Sequence, residues 1–164
     1  MRQLREEEIK RLHEIAAKKG RLKLKSAIYC RKSTEDKTAT SLSTQEQNCR
    51  EFILEYDSLL HLDDNHVFSE DNVSGMYIDN RDELDRLMKL VKNGEIDVIV
   101  VARSDRFSRD SANMVLLLRM LEQNNAYFIA GDDLADNSAA GILIKQIMWA
   151  TNELHARNTA ENVM

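Results

Sequence analysis

Two short strings in this chain carry side chains suited to work on a phosphate. In Arg31-Lys32-Ser33 a serine stands two residues from an arginine, and alternation along an extended chain turns both to the same side. In Ser104-Asp105-Arg106-Phe107-Ser108-Arg109 two arginines stand three apart, with an aspartate beside the first. Guanidiniums so placed present planar forks to phosphate oxygens, and the aspartate can orient one of them. A serine beside an arginine, with no histidine near, fits a nucleophile toward phosphate. The bland alternatives are a turn serine and a surface ion-pair cluster. Asp132, Asp133 and Asp136 read as a solvated turn rather than a metal site, because adjacent aspartates point apart and no histidine or glutamate lies near. His155 reads as a surface or interface residue. Cys30 and Cys49 are not spaced as CxxC and read as two buried or half-buried thiols. A phosphate-cradling glycine loop, HExxH and GxSxG are all missing from the sequence.

The elements that must position these groups follow from periodicity. Residues 1–20 predict a helix with Leu4, Ile9, Leu12, Ile15 and Ala16 near one face and Gly20 at its carboxyl cap. Strands are predicted over 24–30, 66–69, 96–102 and 126–130, the third as a continuous Ile/Val run suited to burial on both faces. Ser43 with Glu46, and Asn80 with Glu83, predict capping boxes for helices carrying Cys49, Phe52, Ile53 and Tyr56, and Leu84, Leu87, Met88 and Val91. A helix is predicted over 111–123, and a long one from Ser138 to the C-terminus. That last segment is apolar on more than one stripe (Ile142, Leu143, Ile144, Ile147, Met148, Trp149, Ala150), which points to a partner subunit. Strands alternating with helices predict an α/β domain with a mostly parallel sheet. Sites in such sheets form beyond the carboxyl ends of the strands, where both arginine strings fall.

Composition bounds the setting. The chain has 164 residues, 43% hydrophobic and 31% charged, which suits one domain with a real core. Its apolar runs, such as 98–102, are far too short to span a bilayer, and the start is a charged amphipathic run rather than a signal peptide. A cytoplasmic protein away from membranes is expected. Residues 1–25 hold nine Lys/Arg against four Asp/Glu, and the rest 14 against 24. A domain gripping DNA unaided would be basic, so any affinity for nucleic acid must come from elsewhere or from a few concentrated arginines.

Taken together, these strings resemble the catalytic domain of the serine recombinases, the resolvase/invertase and large serine integrase family. The resemblance starts at Tyr29-Cys30-Arg31-Lys32-Ser33 and continues through Ser41-Leu42 and Gln45. It then runs through Asp71-Asn72-Val73-Ser74-Gly75 and Asn80-Arg81 to Ser104-Asp105-Arg106-Phe107-Ser108-Arg109-Asp110. It implies a three-layer resolvase-like domain over 25–137 and, over 138–164, the start of a long helix that oligomerises, with DNA-binding regions beyond it; the basic helical extension over 1–24 has no counterpart in the family pattern. It implies Ser33 as the nucleophile on DNA, joined to a 5′ phosphate, with no metal, ATP or other cofactor. Arg31, Arg106 and Arg109 would stabilise the reacting phosphate with Arg81 in support. Asp105 would orient an arginine, Asp71 and Ser74 would complete the pocket, Gln45 would hold the nucleophile loop, and Tyr29, which opens the motif, is counted with the site residues. The partners implied are double-stranded DNA and further copies of the chain, as a dimer and a synaptic tetramer. Two positions depart from the family pattern: Lys89 stands one step out of phase, and Asp82 replaces a frequent proline. A silent module of the same fold is the main rival. A receiver domain would want acids where Arg31 and Lys32 stand.

Overall fold

The computed structural model describes residues 1–33, 41–72, 81–108 and 111–132, with the side chains of Ser33, Asn72, Ser111 and Ala112 outside that description. Helix α1 (Glu6–Lys19) precedes β1 (Leu24–Ser33), α2 (Leu42–Glu55), β2 (Leu60–Asn72) and α3 (Asp82–Lys92). Strand β3 (Val98–Val101), a single turn α4 (Ser104–Phe107), α5 (Ser111–Gln123) and β4 (Tyr127–Ala130) follow. The four strands form one parallel sheet in the order β2-β1-β3-β4. The predicted α/β architecture with helices on both faces is what forms; the long helix predicted from Ser138, with His155 on it, lies outside the described residues.

Alternation sorts the core. Ile28 and Cys30 of β1, Val98 and Val100 of β3 and Ile129 of β4 face a layer of α1 and α2 that supplies Leu12, Ile15, Cys49, Phe52 and Ile53. Ala27 and Tyr29, Ile99 and Val101, and Ala130 face α3 and α5, which supply Leu84, Leu87, Met88, Val91, Met114 and Leu121. Every side chain of β3 is buried, the reason for its unbroken run of branched residues.

Helix α1 belongs to this core. Its buried positions, Glu8, Leu12, Ile15 and Ala16, share one face, and Leu12 and Ile15 contribute roughly 1.5–3 kcal/mol each by burial. Gly20 ends the helix with φ of 63°, the left-handed conformation that favours glycine. Just beyond, Lys19 Nζ (2.8 Å) and Arg21 Nε (3.0 Å) hold the fully buried Asp97, which also accepts from the Lys25 amide at 2.8 Å. At the other end, Arg2 grips Glu8 with both terminal nitrogens at 2.8 Å. Burial pushes the Glu8 carboxyl up, but Arg2 and the Arg5 amide outweigh it and leave it below its ordinary value.

Several predicted boundaries move. Strand β2 is 13 residues long, not a stub at 66–69. It lies at the sheet edge and bulges between Leu62 and Val67, so its polar Asp63, Asp64 and Asn65 are exposed and break the apolar pattern. The α2 cap is Ser41, whose hydroxyl accepts from the Thr44 amide at 3.2 Å, two residues before the predicted Ser43. Helix α3 starts after Arg81, and its first amides are satisfied from another strand. Strands β3 and β4 are shorter than the predicted 96–102 and 126–130, and β1 runs on to Ser33.

Candidate active site

The strand order reverses between β1 and β3, which makes their carboxyl ends the topological switch point where α/β sites form. Arg31, near the end of β1, is buried, and its guanidinium reaches across to the turn after β3. Its Nε donates to the Arg106 carbonyl at 3.2 Å and its Nη2 to the Asp105 carbonyl at 2.8 Å. Gln45, buried on α2, clamps the backbone of the same residue: its amide nitrogen donates to the Arg31 carbonyl at 3.1 Å, and its oxygen accepts from the Arg31 amide at 3.3 Å. That clamp sits two residues before Ser33, which closes β1 opposite Asn72.

A second arginine supports the same turn. Arg81, at the start of α3, donates through Nη2 to the carbonyls of Phe107 and, at 3.4 Å, Arg106. Its guanidinium lies 5.5 Å from the centre of the Tyr29 ring and donates to the Tyr29 hydroxyl at 3.0 and 3.3 Å. The hydroxyl in turn donates to the buried carboxylate of Glu70. Burial foremost, with the Glu70 hydrogen bond adding to it and Arg81 opposing, holds the Tyr29 phenol above its usual range. It therefore remains a donor at all ordinary pH. Glu70 accepts also from the amides of Glu83 at 2.8 Å and Leu84 at 3.4 Å, which caps α3 across the chain, and lies 3.9 Å from Arg81.

On the turn itself, Arg106 is buried and Asp105 half-buried. The Asp105 Oδ1 lies 3.4 Å from Nε of the exposed Arg103 and 3.8 Å from Nε of Arg106. The turn is tied to β4 as well: both oxygens of Asp132 accept from Ser104, the amide at 2.6 Å and the hydroxyl at 2.7 Å. Asp132 is exposed, as a solvated turn requires, yet both its oxygens are also engaged by Ser104. Phe107 anchors the turn beneath, packing on Tyr29 and Phe128 with ring centres 6.2 and 4.6 Å away.

Of the residues singled out from sequence, Tyr29, Arg31, Gln45, Arg81, Asp105 and Arg106 converge here. Asp71 sits exposed on β2 opposite Lys32, on the face away from Glu70. Ser74, Asn80, Arg109, Asp110, Asp133 and Asp136 lie outside the described residues. Sequence reading passed over Glu70 and gave Asp132 no bonding role. Glu70 was detectable: with Phe68 buried, the residue two further along β2 points the same way. Asp132 offers no such signal, since its partner stands 28 residues earlier. Among the described residues no helix is long and apolar enough to cross a membrane. The arrangement gathers cations and rigid donors at one strand edge, the electrostatics that a phosphoryl transfer needs.

Residues 26–164 match the family described as Resolvase, N terminal domain. The DNA-invertase hin of Salmonella typhimurium is 32% identical over 124 residues, which cover 75% of this chain and 62% of the invertase. The transposon Tn917 resolvase of Enterococcus faecalis is 30% identical over 114 residues, covering 69% of this chain and 58% of the resolvase. The chain therefore matches about three-fifths of the length of these relatives. The N-terminal catalytic domain of TP901-1 integrase superposes with a TM-score of 0.56 at 25% identity, over 81% of this chain and 97% of that domain.

Proposed function

Because the chain belongs to the resolvase family of serine recombinases, we propose that it is the catalytic domain of a site-specific recombinase that cuts and rejoins DNA through Ser33. In this reading the Ser33 oxygen attacks the scissile phosphorus. The bond from phosphorus to the 3′ oxygen breaks, the serine gives up its proton, and the 3′ oxygen leaves as a hydroxyl. The product is a 5′-phosphoserine ester. Attack by a 3′ hydroxyl of the new partner strand reverses the step. One phosphodiester is exchanged for another, so no ATP is called for, and the guanidiniums supply the charge stabilisation that a metal would otherwise give.

The observation that carries this reading is the link between Arg31 and the turn after β3. It places the strand that ends in Ser33 against the turn that bears Asp105 and Arg106. Fixed guanidiniums beside a transferring phosphoryl group stabilise its oxygens without reorganisation. Arg31, Arg106 and Arg109 fill that role with Arg81 behind them, Asp105 orients an arginine, and Ser74 lines the pocket, whereas Asp71 is exposed on the other face of β2. Gln45 holds the end of β1. Double-stranded DNA is the substrate. Dimers and synaptic tetramers assemble through the segment from 138 onward, whose apolar residues exceed what one core-facing stripe requires. The acidic balance of the body fits a domain whose DNA affinity resides in further regions.

The test is a suicide or nicked DNA site incubated with the protein and then denatured. A covalent adduct at the 5′ phosphate is expected, surviving EDTA and lost in Ser33→Ala. A folded, DNA-bound protein that forms no adduct would replace this reading with that of a silent assembly module.

A further inference from the structure

The turn 104–107 is held from the ends of β1 and β4 and from the start of α3, and the tie from beyond β4 is unlike the other two. Arg31 and Arg81 reach the turn with long guanidinium side chains that hydrogen-bond its carbonyls. Asp132 holds its first residue, taking the Ser104 amide and hydroxyl on separate oxygens at 2.6 and 2.7 Å. Both bonds are charge-assisted and lie at the surface, with Asp132 itself exposed. Asp132 is well placed to hold anything, because the backbone before it is fixed. The Gly131 amide donates to the Val101 carbonyl at 3.0 Å, and a Cβ at Gly131 would collide with the Ala102 carbonyl. The Arg2 guanidinium, braced by Glu8, donates to the Ala130 carbonyl at 3.1 Å.

We propose that Asp132 is a positioning residue, setting the angle at which the turn after β3 delivers Asp105 and Arg106 to the phosphate. This deepens the recombinase reading and rests on it for its link to chemistry. Without the carboxylate, the turn keeps its two carbonyl ties but loses its fixed start. The amino-terminal helix then has a part in the site too, since Arg2 steadies the strand end from which Asp132 projects.

Two readouts test this. Amide exchange on the protein alone should quicken at 104–108 by about 10-fold in Asp132→Ala, with β1 and β3 unchanged, because a local tie is lost and not the fold. Adduct formation at saturating DNA should slow roughly 10- to 100-fold, the scale of a small misplacement of catalytic groups, while the DNA concentration for half-saturation stays put. Asp132→Asn, which keeps one acceptor oxygen toward Ser104, should recover part of the rate. Ser104→Ala combined with Asp132→Ala should be no slower than Asp132→Ala alone. Wild-type exchange and rate in Asp132→Ala would overturn the proposal. So would exchange that rises equally over the whole sheet. If the wild-type protein forms no adduct, the recombinase reading fails by itself, and the exchange pattern still decides whether Asp132 holds the turn.

Discussion

Asp97 at the amino end of the sheet and Glu70 at its carboxyl end are both buried acids with cations nearby, yet they are wired to different ends. Asp97 accepts from Lys19 and the Lys25 amide and pairs in charge with Arg21, which together tie helix α1 to the start of β1. Among the described residues, nothing in that chain of bonds leads to a group with chemistry. The donors to Glu70 are the Tyr29 hydroxyl and two amides of α3. From them the bonds run on through Arg81 to the carbonyls of the turn bearing Arg106. A buried acid with a cation is therefore not by itself a sign of function. What separates the two is where the next hydrogen bond goes.

The comparison is open to measurement. Asp97→Ala leaves Lys19 and Arg21 facing an empty pocket, and breaking such a buried pair costs about 3–5 kcal/mol. Urea unfolding should show that loss, and the melting temperature should fall by roughly 2–4 °C for each kcal/mol. Adduct formed per folded molecule should not change; a slowed rate would erase the distinction between the two ends. Glu70→Gln is a smaller lesion, about 1–3 kcal/mol from a buried group left short of its bonds. Here the adduct rate should fall further than the stability, because Arg81 loses its alignment. A variant that is merely less stable would place Glu70 with Asp97.

The smallest effect belongs to the thiols, which lie on the opposite face of β1 from Tyr29 and Arg31. Burial, foremost, pushes the Cys30 thiol up to about 12 from 9.0, and burial likewise raises Cys49. The folded state therefore binds these protons more tightly than the unfolded chain. The stability they contribute is fully present below pH 9 and is lost as the pH climbs toward 12. At pH 8 neither thiol should react with a chromogenic disulfide until denaturant is added. Fast native labelling would show that this face of the core opens.

Much of this was legible in the residues. The Ile/Val run of β3, Gly20 at the end of α1 and the turn signals between strands suffice for the α/β order. The spacing of Arg31 and Ser33 and the Ser104–Arg109 string suffice to point at phosphate. Strand β2 was legible only in part, because an edge strand with a bulge exposes polar side chains and so lacks an apolar signature. Cutting it short hid Glu70, one residue beyond the predicted end. The α3 cap was misassigned for a related reason: Glu70 supplies what a local cap would have supplied.

Local order, which depends on neighbours a few residues apart, was thus determined by the sequence itself: which segments are strands, which faces are apolar, which loops carry arginine and serine. Which of those loops meet was decided by the strand order β2-β1-β3-β4. The bonds that build the site join residues 28, 41 and 75 positions apart. Periodicity along a strand says which side a residue faces, but not which strand lies beside it. Arg31 therefore announced itself by type and spacing, whereas Glu70 and Asp132 acquired their roles only when the sheet set Tyr29 and Ser104 within reach of their carboxylates.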